Sequence, residues 1–463
     1  MAVIPSFEER ERYLRELAGF LAIPSVSGDG ALSDSMRAAA SWLVEQLAFA
    51  GGRLVETGGH PAVLAEWLGA PEAPTILVYG HYDVQPPGDE AEWQSPAFEP
   101  SVRNGRIYAR GATDDKGPVF IALKVAEAFH TQQGRLPLNV RFLFEGEEEI
   151  GSPSLPAFLE AHRDELGADV VVSADGAMWR PTEPSVAIAA KGLLAFDLIV
   201  TGPSADLHSG RHGGAVQNPN HALAAIVAGL HTSDGAVAVA GVYDDVVPLG
   251  ALDRDALGRV PFDEEAYRRQ VGVPVLHGEP GYSTLERLWT RPTLEVNGIQ
   301  GGGSFTVIPR RARAHITCRL APGQRPEAIL AAITRHIEAH VPPGVEASVE
   351  AAPGAVPAYS IAADHPAVTA ATAALRTVYP DREPLLVRIG GTLPAAVLFE
   401  QILGLETLLF SFSIADENLH APNEFFRLQR LEEGMRAWAE LWMRLAKGLP
   451  TRLNPAAPAA PRR

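Results

Sequence analysis

Five short stretches of the chain carry side chains suited to holding divalent cations. Gly80-His81-Tyr82-Asp83 offers an imidazole with a carboxylate two residues on, able to hold one ring nitrogen while the other binds a metal. A solvated turn is the plainer reading of the same residues. In Arg110-Gly111-Ala112-Thr113-Asp114-Asp115-Lys116-Gly117 the paired aspartates could be an N-cap and a first-turn charge, or a carboxylate shared by two cations. Glu147-Glu148-Glu149 brings together negative charges whose repulsion a cation would relieve; the alternative is an exposed acidic turn. Ser173-Ala174-Asp175-Gly176 adds a carboxylate, and Asn418-Leu419-His420-Ala421-Pro422-Asn423-Glu424 a second histidine. Each stretch alone is ambiguous. Together, His, Asp and Glu without Cys make a catalytic rather than a structural zinc set, and a spare glutamate beside the ligands is what a hydrolase needs as general base.

Each stretch follows a predicted strand or opens a predicted helix. Apolar runs at Thr75 to Tyr79, Asn139 to Phe144 and Asp169 to Ser173 read as buried strands, and Pro118 to Phe129 as a helix between two of them. Ser6 and Glu9 form a capping box ahead of a first helix, and a second spans Met36 to Leu47. Strands alternating with helices imply a mainly parallel α/β sheet, with functional groups just past the carboxyl ends of its strands. The middle of the chain reads β-α-β-β-α-β, the ferredoxin-like pattern: Leu194 to Val200, His221 to Leu230, Thr293 to Val296, Arg311 to Arg319, Pro326 to His340 and Val345 to Glu350. Thr232 to Arg291 reads as a long irregular insertion. The first pattern resumes with a helix over Pro366 to Val378, strands at Leu385 to Val387 and Thr407 to Phe412, and a last amphipathic helix carrying Leu428, Leu431, Met435, Trp438, Trp442 and Leu445. The expected fold class is α/β: a discontinuous domain over 1–190 and 365–450, a smaller α+β domain inserted over 191–364, and a disordered Pro/Ala tail over 451–463.

The length of 463 residues fits two domains better than one core. The formal charge of -17 disfavours nucleic acid as a partner, because phosphates would be repelled. No apolar run approaches the roughly 20 residues that span a bilayer, so a membrane location is not expected. Charges at Glu8 to Arg12 break any secretory apolar stretch, so the expected location is the cytoplasm. The single cysteine, Cys318, rules out an intrachain disulfide and reads as a buried strand thiol.

The motifs G-H-Y-D-V-Q-P, R-G-A-T-D-D-K-G-P, E-E-I-G-S, D-L-H-S-G, T-V-I-P-R, R-I-G-G-T and N-L-H-A-P-N-E, in that order over nearly the whole chain, resemble the di-metal peptidase family of carnosinases, Cys-Gly dipeptidases, aminoacylases and desuccinylases, and within it the dipeptidase branch. The resemblance implies a catalytic domain and a lid and dimerisation domain. It implies that His81 and Asp175 bind one metal and Glu149 and His420 the other, with Asp114 bridging through a cis peptide to Asp115. Asp83 would orient His81, and Glu148 would be the general base; register before the Gly-Ser pair leaves Glu147 a bystander. His208 would stabilise the oxyanion across a homodimer. Thr306 and Arg319, with Gly391 and Thr392, would receive the substrate and its carboxylate. Ile389 departs from the glutamate usual in that branch, and His212 has no assigned role.

The implied activity is hydrolysis of dipeptides by a water activated between two divalent ions, zinc by family default, with manganese or cobalt also suited to the ligands. A deacylase of N-acyl amino acids would use the same metal chemistry. A catalytically silent scaffold is disfavoured by the full ligand set, and a two-metal phosphoesterase by the scarcity of basic residues near the motifs.

Overall fold

The computed structural model describes residues 7–450. Ser6, with its capping box, and the tail from Thr451 lie outside the described residues. Two compact units are present. Within the described residues the first comprises 7–188, 361–387 and 394–450, and the second 189–360 and 388–393.

The first unit is built on a sheet with strands in the order Arg53–Val55, Ala62–Trp67, Asn139–Glu145, Thr75–His81, Val170–Ser173, Thr407–Leu409 and Ser185–Ala190. The four central neighbours are parallel. The flanking pairs are antiparallel. Strand Thr75–His81 is buried along its whole length, as its unbroken apolar run demands of a strand covered on both faces. Because the central strands run the same way, the chain leaves all of them at one edge, and four of the five polar stretches follow there; the fifth, Arg110 to Gly117, comes after Arg106–Tyr108 of a separate three-stranded sheet. Helix Leu428–Gly448 packs against Lys116–Gln133 and Pro366–Val378, burying Trp438 and Trp442. Sequence periodicity missed the three-residue edge strand Arg53–Val55 and its neighbour Ala62–Trp67, whose apolar run is only four residues long before Glu66.

The second unit has a four-stranded antiparallel sheet ordered Thr293–Gln300, Arg311–Leu320, Gly192–Thr201, Glu346–Ala351. This is the ferredoxin-like order expected from β-α-β-β-α-β. Burial alternates along Arg311–Leu320, and helices Pro219–Ala228 and Pro326–Ala339 pack on the sheet over the apolar side chains. The first of these strands runs past the expected end at Val296 through a register shift at Val296/Gly298. The stretch expected to be irregular, Thr232 to Arg291, instead holds helices Ala251–Arg259, Glu264–Val271 and Thr284–Thr290. They are short, but their caps were legible: Asp263 accepts the Glu265 and Ala266 N–H groups, and Ser283 with Glu286 closes a capping box. Among the described residues no helix is long and apolar enough to cross a membrane.

Candidate metal centre

His81 is the last residue of strand Thr75–His81 and is fully buried. Its Nδ1 lies 3.1 Å from the Asp83 main-chain oxygen and 3.3 Å from Asp83 Oδ1. Both oxygens can accept a proton held on Nδ1, and the ring so oriented turns Nε2 toward Asp114 Oδ1, 3.1 Å away. Asp83 is itself held by the Glu148 and Glu149 N–H groups, at 3.2 Å and 3.0 Å. One carboxylate thus ties the end of one strand to the loop after its neighbour. The strand approaches the next helix so closely that a Cβ on Gly80 would lie 2.5 Å from Val119 Cγ2 and 2.7 Å from Asp115 Oδ2.

The other oxygen of Asp114 faces His420 Nε2 at 2.9 Å, and that nitrogen is 3.3 Å from Glu149 Oε2. Asp114 therefore presents one oxygen to each imidazole, and the peptide to Asp115 is cis. His81, Asp114 and Asp175 have ligand atoms within 4.8 Å of one another, as do Asp114, Glu149 and His420. His420 sits in a left-handed conformation with φ 57°, and so do Asn418 and Asn423 around it. Asparagine tolerates that region because its side chain bonds locally: Asn418 Nδ2 donates to the Asn423 main-chain oxygen, and Asn423 is pinned to Gln94 N and Glu92 O.

Burial pushes the carboxyls of Glu148 and Asp175 up, that of Asp175 to about 6, and neighbouring carboxylates add to both. Burial acts the same way on Asp114, but hydrogen bonds from both imidazoles outweigh it and hold that carboxyl below the usual range. His420 is raised to about 10 by its bonds to Asp114 and Glu149. The two imidazoles are thus holding together carboxylates that would otherwise repel. The donor chemistry fits a pair of divalent cations: hard oxygen and imidazole ligands, one carboxylate common to both groups, and an imidazole Nε2 in each.

Every sequence-predicted residue of the first unit comes to this edge: His81, Asp83, Asp114, Glu148, Glu149, Asp175 and His420. Glu147 is turned to structural use, accepting the N–H groups of His60 and Ser154, each at 3.1 Å. Of the second-unit residues, Arg319 Nη1 donates to Thr392 Oγ1 at 2.8 Å, with Gly391 adjacent to that threonine. His208 and Thr306 meet elsewhere in the unit, where the Ser209 N–H donates to the Thr306 main-chain oxygen at 2.9 Å. The His208 Nδ1 accepts the Gly210 N–H at 3.1 Å, so a neutral His208 carries its proton on Nε2.

Sequence reasoning missed the residues behind the candidate ligands. Glu424 accepts from Arg110, Gly111, Thr113 and Asp114, at 2.7 to 3.2 Å. Glu417 accepts the Thr113 hydroxyl at 2.6 Å and binds Arg427. Both glutamates are buried, and together they clamp the Asp114 loop to the segment bearing His420. Gln85 Nε2 donates to Glu149 Oε2 at 2.9 Å. Gln85 and Glu424 stand inside motifs that were recognised, but nothing in their local sequence announces a buried acceptor or an amide donor.

A family profile described as Peptidase family M20/M25/M40 matches residues 77–444. The chain is 31% identical over 395 residues to the Beta-Ala-His dipeptidase of Homo sapiens, across 84% of this chain and 78% of that protein. It is 29% identical over 467 residues to the Cys-Gly metallodipeptidase dug1 of Schizosaccharomyces pombe, across 96% and 97% of the two chains. In structure it is similar to the M20 family metallo-carboxypeptidase Sso-CP2 from Sulfolobus solfataricus, with a TM-score of 0.81, 30% identity, and 94% and 99% of the two chains covered.

Proposed function

We propose that this chain, which belongs to peptidase family M20/M25/M40 and is a peptidase hydrolase, is a dipeptidase that uses two divalent cations. The observation carrying this reading is Asp114, one oxygen toward each imidazole, with Glu148 on the adjoining loop. His81 and Asp175 would hold one ion, Glu149 and His420 the other, and Asp114 both. Bound there, the ions supply Lewis acidity that polarises a scissile carbonyl and makes an attacking water more acidic. Asp83 keeps the His81 proton on Nδ1. Glu148 takes the proton of the attacking water and returns it to the departing amine. His208 donates from Nε2 to the developing oxyanion, across a homodimer. Arg319, Thr306, Gly391 and Thr392 receive the substrate, with the Arg319 fork matched to its terminal carboxylate. The requirement for that carboxylate makes the enzyme an exopeptidase. Zinc is the ion we assign, with manganese and cobalt as substitutes, and the cytoplasm is the location.

The test is a panel of dipeptides beside matched N-acetyl and N-succinyl amino acids, with and without chelator. Dipeptide cleavage is expected, abolished by chelator and restored by zinc or manganese. Hydrolysis confined to the N-acyl set would move the function to deacylation, and no amide hydrolysis by metal-loaded protein would sink the reading.

A further inference from the structure

The insertion between Pro219–Ala228 and Thr293–Gln300 contributes helices that the reading above does not use. Two of them grip the segment 388–393, which belongs to the second unit although it comes from far along the chain. Asp253 lies in the first turn of Ala251–Arg259, and its Oδ1 accepts from Arg388 Nη2 at 2.5 Å. Its Oδ2 accepts the Gly250 N–H at 3.2 Å, so the start of its own helix holds the carboxylate in place. The Arg388 side chain is only 10% exposed, which makes the partner consequential. Helix Thr284–Thr290 acts nearby. Its Arg287 main-chain oxygen accepts Lys191 Nζ at 2.9 Å, and the Lys191 N–H donates to the Ile389 main-chain oxygen at 3.1 Å. Its Leu288 main-chain oxygen stands 3.4 Å from where a Cβ on Gly390 would be. Beyond these anchors comes Thr392, whose Oγ1 accepts from Arg319 Nη1 at 2.8 Å.

We propose that Asp253 is a positioning residue for substrate recognition. Paired with Arg388, it fixes the segment 388–393 so that Thr392 and Arg319 are presented as one receptor for the terminal carboxylate. A guanidinium recognises a carboxylate well only when its fork is aimed, and the aim is lost if the segment bearing its partner can shift. The proposal rests on the reading of Arg319 and Thr392 as the carboxylate receptor. It gives the insertion a purpose: it braces the binding segment and leaves the bond-breaking residues untouched.

The experiment is steady-state kinetics of the zinc-loaded full-length chain on a dipeptide and on its C-terminal amide, with metal content measured in parallel. Asp253→Ala and Arg388→Asp are expected to raise KM for the dipeptide about tenfold while kcat stays within about twofold. Preference for the free acid over the amide should fall with it, and zinc content should not change. The reciprocal pair Asp253→Arg with Arg388→Asp should bring KM back toward the parent value, which loss of fold alone would not do. The near-isosteric Asp253→Asn carries the same test if the alanine variant loses helicity by circular dichroism. Arg319→Lys is the control. If it raises KM and the Asp253 variants do not, the brace is refuted and the receptor stands. If it leaves KM and the acid preference unchanged, the receptor reading falls, and this proposal with it.

Discussion

Three adjacent glutamates at one loop have three different employments. The Glu147 carboxylate is taken by the main-chain N–H groups of His60 and Ser154. Glu149 faces His420 and Gln85. Glu148 is held through its main chain, its N–H donating to Asp83 Oδ1 at 3.2 Å and its carbonyl accepting from the Gly151 N–H at 2.8 Å. Burial, with the charges of Asp175, Asp114 and Glu149 added, lifts its carboxyl well above the usual carboxylate range. Replacing Glu148 with Gln keeps the volume and removes the basic oxygen. It is expected to retain bound metal and lower kcat by roughly 10²–10⁴-fold, read by turnover and metal analysis on one sample. Turnover near that of the parent enzyme would remove Glu148 from the base role.

At the scale of elements, the edge that gathers the candidate ligands is only as steady as the helices behind it. Lys116–Gln133 begins directly after Asp114 and Asp115 and packs on Leu428–Gly448. Phe129 stacks on Trp442 with ring centroids 6.1 Å apart, and Trp442 is fully buried. Trp442→Ala would leave a large cavity between these helices and is expected to destabilise the protein by about 3–5 kcal/mol in denaturant unfolding. A loss below about 1 kcal/mol would mean the packing relaxes around the hole and that helix contact is not a main support. The cysteine expectation also belongs to this scale. Cys318 is buried on the covered face of Arg311–Leu320, and burial pushes its thiol up to about 12, so it is an inert packing residue.

For the whole molecule, cation binding should appear as stability. Asp83, Asp114, Glu148, Glu149 and Asp175 converge with two imidazoles in one unit. An ion at a hundred times its Kd contributes about 2.7 kcal/mol to the folded state by mass action, and two ions more. Scanning calorimetry with zinc and then with chelator is expected to show a melting temperature lower by at least about 5 °C in the stripped protein. Superimposable scans would mean that these side chains hold no cation tightly.

Much of this organisation was legible in one sequence because it depends on local pattern. The unbroken apolar runs at Thr75 to Tyr79 and Asn139 to Phe144 forced buried parallel strands. The β-α-β-β-α-β order led to the antiparallel sheet of the second unit. Parallel strands then send His81, the glutamate loop and Asp175 to one edge, so those candidates could be grouped before any distance was known. Short helices in the insertion were obscured because periodicity needs length, and Arg53–Val55 with Ala62–Trp67 because their apolar stretches are short. What only the tertiary structure decided are the pairings between residues far apart in the chain. Glu424 clamps the Asp114 loop from 310 positions away, and Asp253 holds Arg388 from 135. A buried carboxylate is tolerated only when donors surround it, and those donors come from segments that folding, not sequence proximity, brings together.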